Sequence, residues 1–176
     1  MDTHDEAMMR LALEEAKKAF ELGETPIGAV LTWDGEPIVM THNLRESEKL
    51  ATAHAELLAI EEACKKLHGW RLHRAELFVT LEPCPMCAGA IINARIPRVV
   101  FAAYDKKAGC CGSLIDLFSV SFNHKPVSVG GVLEEESEAL LSDFFKKLRE
   151  ERRRGVRPVR RASDFTAEKQ KMADKP

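Results

Sequence analysis

ELFVTLEPCPMCAGAI, residues 76–91, joins a strand to a helix through one short bend. Its first six residues are mostly apolar or β-branched and predict a strand. Pro85 stands where a helix opens, because the first helical position has no use for an N–H. The helix should stop near Arg95, since Pro97 cannot continue it. Cys84 and Cys87 therefore fall at the start of a helix that follows a strand. C-x-x-C in that place suits a redox dithiol or one edge of a zinc site, and the spacing alone leaves both open.

Working outward, RVVFAAY (98–104) follows as a second strand. Upstream, a helix is predicted from about Thr52, its candidate cap, to Lys66, burying Leu57, Leu58 and Ile60 or their neighbours. Before it, IGAVLTW (27–33) and EPIVMTH (36–42) flank Asp34-Gly35, a dipeptide suited to a tight antiparallel hairpin. Asp5 to Leu22 has apolar residues at helical spacing and ends before Gly23. Downstream, the loop GCCGS (109–113) and a turn around Leu114–Phe118 lead to PVSVGGV (126–132), a fifth strand, and a final helix from Glu134 to about Arg154. This order predicts an α/β fold in which a mixed five-stranded sheet is covered by helices on both faces.

With 176 residues, 45% hydrophobic and 31% charged, the chain can bury one core. One domain over 1–154 and a basic, flexible tail over 155–176 are expected. No basic leader precedes an apolar block, and no apolar run nears the roughly 18 residues of a membrane span. A cytoplasmic protein with no membrane partner is the expectation. Five cysteines cannot all pair, so thiols or metal ligands are expected rather than a disulfide scaffold. The net charge of −2 hides a strip at 146–161, KKLREERRRGVRPVRR, with nine Lys or Arg against two Glu, a local +7 that leaves −9 elsewhere. Such a strip suits phosphate contacts or a solvated helix end.

Catalytic zinc would need a further ligand, typically a histidine. His4, His42, His68, His73 and His124 have ordinary surface or loop readings. His54 differs: in TAHAELLAI (52–60) it sits at the start of a helix, two residues before Glu56. Helical side chains lean toward the N-terminus, so an ion beyond that end could receive His54 while Glu56 approaches from another side. Both candidate ligand groups would lie at helix N-termini, which favour anions. Glu56 could be a catalytic base, a fourth structural ligand or a surface residue.

His54-Ala55-Glu56 followed by Pro83-Cys84-Pro85-Met86-Cys87 resembles the H-x-E…P-C-x-x-C signature of the zinc-dependent deaminases. Within them the chain is similar to the bacterial tRNA-specific adenosine deaminases, through PIGAV (26–30), HN (42–43), TAHAE (52–56), TLEPCPMCAGAI (80–91), RVVFAAYD (98–105), the GS and D of GCCGSLIDL (109–117), NH (123–124) and LLSDFF (140–145). These span residues 5 to about 150. The resemblance implies a three-layer α/β/α sandwich of cytidine deaminase type, working as a homodimer with one zinc per subunit held by His54, Cys84 and Cys87. It implies that Glu56 moves the proton while zinc-activated water attacks the wobble adenosine of a tRNA, position 34, such as that of arginine tRNA. Asn43 matches the position that binds the target nucleoside, and is otherwise a turn residue. Ile27, Gly28 and Ala55 would line the base pocket, although a glycine in a strand also marks a bulge. Asp105, Lys106 and Phe144 would lie beside the RNA, one of Phe144 and Phe145 being core packing.

Cys110 and Cys111 stand where the family has small residues and read as small-residue substitutes; Cys64 reads as a buried apolar residue. The competing functions are deamination of a free base or nucleoside such as guanine or cytosine, a noncatalytic RNA-binding module with structural zinc, and a redox protein.

Overall fold

A computed structural model describes residues 3–155. Ten elements run in the order α1 (Thr3–Glu21), β1 (Gly28–Trp33), β2 (Glu36–His42), α2 (Arg45–Glu48), α3 (Ala55–Lys66), β3 (Ala75–Leu81), α4 (Pro85–Ala94), β4 (Arg98–Ala103), β5 (Val127–Gly130) and α5 (Glu134–Arg153). The hairpin forms as its turn chemistry predicts: Asp34 and Gly35 both take positive φ, 53° and 84°, the twist that suits a two-residue connection. Trp33 pairs with Glu36 across it.

The sheet order is β2-β1-β3-β4-β5. β1 is antiparallel to β2 and β3, whereas β3, β4 and β5 run parallel. The parallel step from β3 to β4 follows from α4, which carries the chain back along the sheet. Strand alternation splits the core in two. On one face Ala29, Leu31, Leu77, Val79, Val99 and Phe101 pack with residues of α3 and α4. On the other, Val30, Phe78, Val100 and Ala102 pack with Met8, Met9 and Ala12 of α1. Buried Ser137, in the first part of α5, donates its hydroxyl to the Thr80 carbonyl at 2.5 Å. The expected mixed five-stranded sheet with helices on both faces is thus present.

Two expectations are corrected. α3 begins at Ala55, and its N-cap is His54 rather than Thr52. Its buried residues are Ala55, Glu56, Ala59, Ile60 and Ala63, while Leu57 and Leu58 are only half-buried. A short α2, not foreseen, follows β2 and ends in a left-handed Lys49. The chain divides into two units, Met1–Leu141 and Ser142–Pro176, inside α5. Of the tail expected at 155–176, everything after Gly155 lies outside the described residues. Among the described residues no helix is long and apolar enough to cross a membrane.

Candidate metal and catalytic site

The two ligand segments are built alike. His54 is the N-cap of α3 and Cys84 the N-cap of α4; both have extended backbone, with ψ of 146° and 173°, and neither side chain caps its own helix. Imidazole and thiol are therefore free to point off the helix ends. They converge: His54 Nδ1 lies 3.8 Å from Cys84 Sγ and 3.7 Å from Cys87 Sγ, and the three donor atoms fall within 4.8 Å of one another. The β2 edge steadies this arrangement, since the Thr41 hydroxyl donates to the Ala55 carbonyl at 2.7 Å.

One ring nitrogen and two sulfurs at two helix N-termini form a donor set suited to tetrahedral zinc with one position open. The electrostatics fit a cation. A hydrogen bond from the Cys87 thiol pulls the Cys84 thiol down to about 4, with His54 adding to it against burial. Cys87, holding the shared proton and desolvated, is pushed far up. The bond to Cys84 raises His54 despite its burial.

Glu56, in the first turn of α3, is 3% exposed, and its Oε2 is buried without a hydrogen-bond partner. Burial raises its pKa, and the charges of His54 and Cys84 act on it in opposite senses. A buried carboxylate oxygen left unpartnered is costly unless something is to meet it there. A fourth structural ligand is not needed to explain it, and the surface alternative is excluded by its burial.

The remaining expected residues divide. Asn43 is buried and its Nδ2 donates to Glu24 at 3.0 Å, while its main-chain N–H donates to the Ile27 carbonyl at 2.9 Å. Ile27 is half-buried against the α3 and α4 side of the core, and Ala55 is fully buried there. Gly28 faces the other way. A Cβ on it would lie 2.5 Å from Ala16 N and closer still to the Ala12 carbonyl oxygen, so its missing side chain admits α1. Asp105 uses its Oδ1 to accept the N–H groups of Lys107 (2.9 Å) and Ala108 (3.2 Å), and Lys106 is exposed. In the C-terminal unit Phe144 is buried and Phe145 is 43% exposed, their rings edge to face at 5.4 Å. Cys110 and Cys111 are buried and Cys64 half-buried, all three as free thiols, and none joins the donor set.

Two carboxylates escaped the sequence reading. Glu24, fully buried, accepts from Asn43 and from the main-chain N–H groups of Glu46 (3.1 Å) and Ser47 (2.5 Å). Glu82 likewise receives main-chain donors from the loop after β4. Each reads locally as a loop charge; only the position of Glu82 inside the PCPMC-bearing bend hinted at a role.

The family model described as MafB19-like deaminase matches residues 3–149. The tRNA-specific adenosine deaminase of Bacillus subtilis (strain 168) is 55% identical over 152 residues, which cover 86% of this chain and 94% of the relative. A solved structure from a study of A-to-I editing by tRNA:A34 deaminases at the wobble position of transfer RNA has a TM-score of 0.74 and 44% identity, covering 76% of this chain and 98% of that one. The guanine deaminase of Bacillus subtilis has a TM-score of 0.55 and 30% identity, covering 70% and 88%.

Proposed function

Since the chain belongs to the MafB19-like deaminase family and, within it, to the tRNA-specific adenosine deaminases, we propose that it converts the wobble adenosine of a tRNA anticodon, position 34, to inosine. The observation that carries this mechanism is the buried, unpartnered Oε2 of Glu56 next to a nitrogen and two sulfurs within 4.8 Å. Guanine deamination is less favoured, because the similarity to the guanine enzyme is lower in both identity and superposition.

Deamination at C6 exchanges an amine for oxygen, so a proton must leave water, reach the ring and reach the departing amine. His54 Nδ1, Cys84 Sγ and Cys87 Sγ would hold one zinc per subunit, whose chemistry is to acidify a water for attack on C6. Glu56 Oε2 accepts the proton of the attacking water, gives it to ring N1, and then carries a proton to the amine, which leaves as ammonia. Burial raises the proton affinity of Glu56 and so fits it to act as acceptor and donor in turn. Two thiolates offset the cation's charge, which makes a carboxylate base more useful than beside three neutral ligands.

Around this centre Asn43, its amide orientation set by Glu24, would bind the nucleoside, with Ile27 and Ala55 along the base pocket, while Gly28, expected there too, instead makes room for α1 on the other face of the sheet. Asp105 and Lys106 would lie beside the anticodon loop, whose unstacked base enters without melting a duplex, whereas the burial of Phe144 makes it the packing member of its aromatic pair. The substrate is proposed to be an arginine tRNA with adenosine 34, met in the cytoplasm. The deaminase domain is taken as 1–154 and the basic 155–176 as an added RNA contact. A homodimer would cover Leu114, Ile115, Val120 and Phe122, all at least 45% exposed; a monomeric mass by sedimentation would refute it.

The test is inosine at position 34 of that tRNA, with wild type, Glu56→Gln and metal-stripped protein side by side. Glu56→Gln should keep zinc and fold and lose a factor of about 10²–10⁴ or more in rate. Residual turnover within about tenfold of wild type would sink the proton-carrier role.

A further inference from the structure

Glu82 occupies the bend between β3 and α4 and takes no part in the proposed chemistry, yet it is only 2% exposed. Its Oε2 accepts the N–H of Asp105 at 3.0 Å. Its Oε1 accepts those of Cys111 at 2.8 Å and Ser113 at 3.1 Å. Backbone bonds reinforce the clasp: Glu82 N–H donates to the Ala103 carbonyl at 2.9 Å, and Cys110 N–H to the Pro83 carbonyl at 2.9 Å. Five hydrogen bonds thus tie the bend immediately before Cys84 to the segment 103–113. The fit leaves no spare room, because a Cβ on Gly109 would collide with the Glu82 carboxylate and lie 2.5 Å from the Asp105 carbonyl oxygen.

The clasp reaches the surface through Asp105. Its Oδ1 holds the N–H groups of Lys107 and Ala108, so placing the Asp105 backbone places the turn that carries exposed Lys106 and Lys107. The three N–H groups, that of Cys111 buried and those of Asp105 and Ser113 partly so, need three acceptor lone pairs, and an ionised carboxylate supplies them without bringing a donor of its own.

We propose that Glu82 is a positioning residue for RNA: it holds the Asp105–Lys107 turn in register with the metal-ligating bend, so that the anticodon loop and the deamination centre engage together. This rests on the tRNA function proposed above.

Glu82→Gln tests it in the zinc-loaded full-length protein. An amide has one acceptor oxygen, so its NH2 must face a loop N–H; facing the single N–H of Asp105 loses least, and that end is released. Zinc should stay stoichiometric, the Asp105 and Lys107 amides should exchange faster, and KM for an adenosine-34 tRNA should rise about tenfold, the scale of one charge-assisted hydrogen bond, with kcat within about twofold. Gly109→Ala strikes the same clasp from the loop side with Glu82 intact and should raise KM alike. Lost zinc, or a fall in kcat at unchanged KM, would assign Glu82 to the metal centre and overturn the proposal. Faster amide exchange at unchanged KM would overturn it too. In the wild type, which needs no variant to fold, the Asp105–Lys107 amides should gain protection on binding the anticodon stem-loop of that tRNA. No gain while inosine still forms defeats the positioning role and leaves the deaminase standing; no inosine from folded wild type defeats both.

Discussion

Gly28→Ala separates two meanings of a glycine beside a substrate pocket. The added methyl would point at α1 between Ala12 and Ala16, 2.5 Å from Ala16 N, 2.8 Å from Glu15 Cβ and nearer still to the Ala12 carbonyl oxygen. Real Cβ contacts do not fall below 3.0 Å, so α1 must retreat by more than half an ångström. The atoms in the way are mostly backbone, and no rotamer can relieve them. Ala12 and Ala16 are fully buried, and the same helix anchors Met8 and Met9 against Val30 and Phe78, so the whole element shifts. Overpacking of this kind costs about 1–3 kcal/mol, and a backbone clash belongs at the upper end. The lower entropy of an unfolded alanine returns about 0.4–1 kcal/mol. The net loss of about 2 kcal/mol should lower Tm by about 4–8 °C for a domain of this size. Urea unfolding of the zinc-loaded protein measures the loss, and steady-state kinetics well below Tm measure the pocket. Stability within about 0.5 kcal/mol of wild type, together with a raised KM, would refute the packing role and return Gly28 to the substrate.

Two further outcomes follow from the charges. Burial pushes the Glu15 carboxyl up, but hydrogen bonds from Lys18 and His42, with their charges, carry it below its ordinary 4.5. A carboxylate with a lowered folded pKa adds stability above its unfolded pKa and loses it as pH falls through the folded value. Wild type should therefore exceed Glu15→Gln at neutral pH, the gap closing as urea titrations descend below about pH 4.5; a gap that widens on acidification contradicts this. After chelation of the metal, iodoacetamide at pH 6 should label Cys84 first, because that thiol is held at about 4, ahead of Cys87, Cys110 and Cys111, all pushed up. With zinc bound the pair should resist labelling, and equal rates for Cys84 and Cys87 in the stripped protein would refute the split.

The sequence alone determined what local chemistry can determine. Short apolar, β-branched runs, helical periodicities, the Asp34-Gly35 turn and the Pro85 and Pro97 boundaries placed all five strands and the longer helices, because each depends on neighbours a few residues away. His54, Glu56, Cys84 and Cys87 were legible as a set through the resemblance their motif carries. The tertiary structure decided what depends on contacts between distant segments. Thr52 was the better cap by side-chain preference, yet His54 holds the N-cap position and keeps its ring for the thiols of another helix. Gly28 answers to Ala12 and Ala16 of α1, which no local pattern reveals. Glu24 and Glu82 look like ordinary loop charges, because a carboxylate's role is set by the donors that meet it. Those donors are the amides of Glu46 and Ser47 for one and of Asp105, Cys111 and Ser113 for the other. They lie 22 to 31 residues farther along the chain, so only the folded chain brings them to the carboxylates.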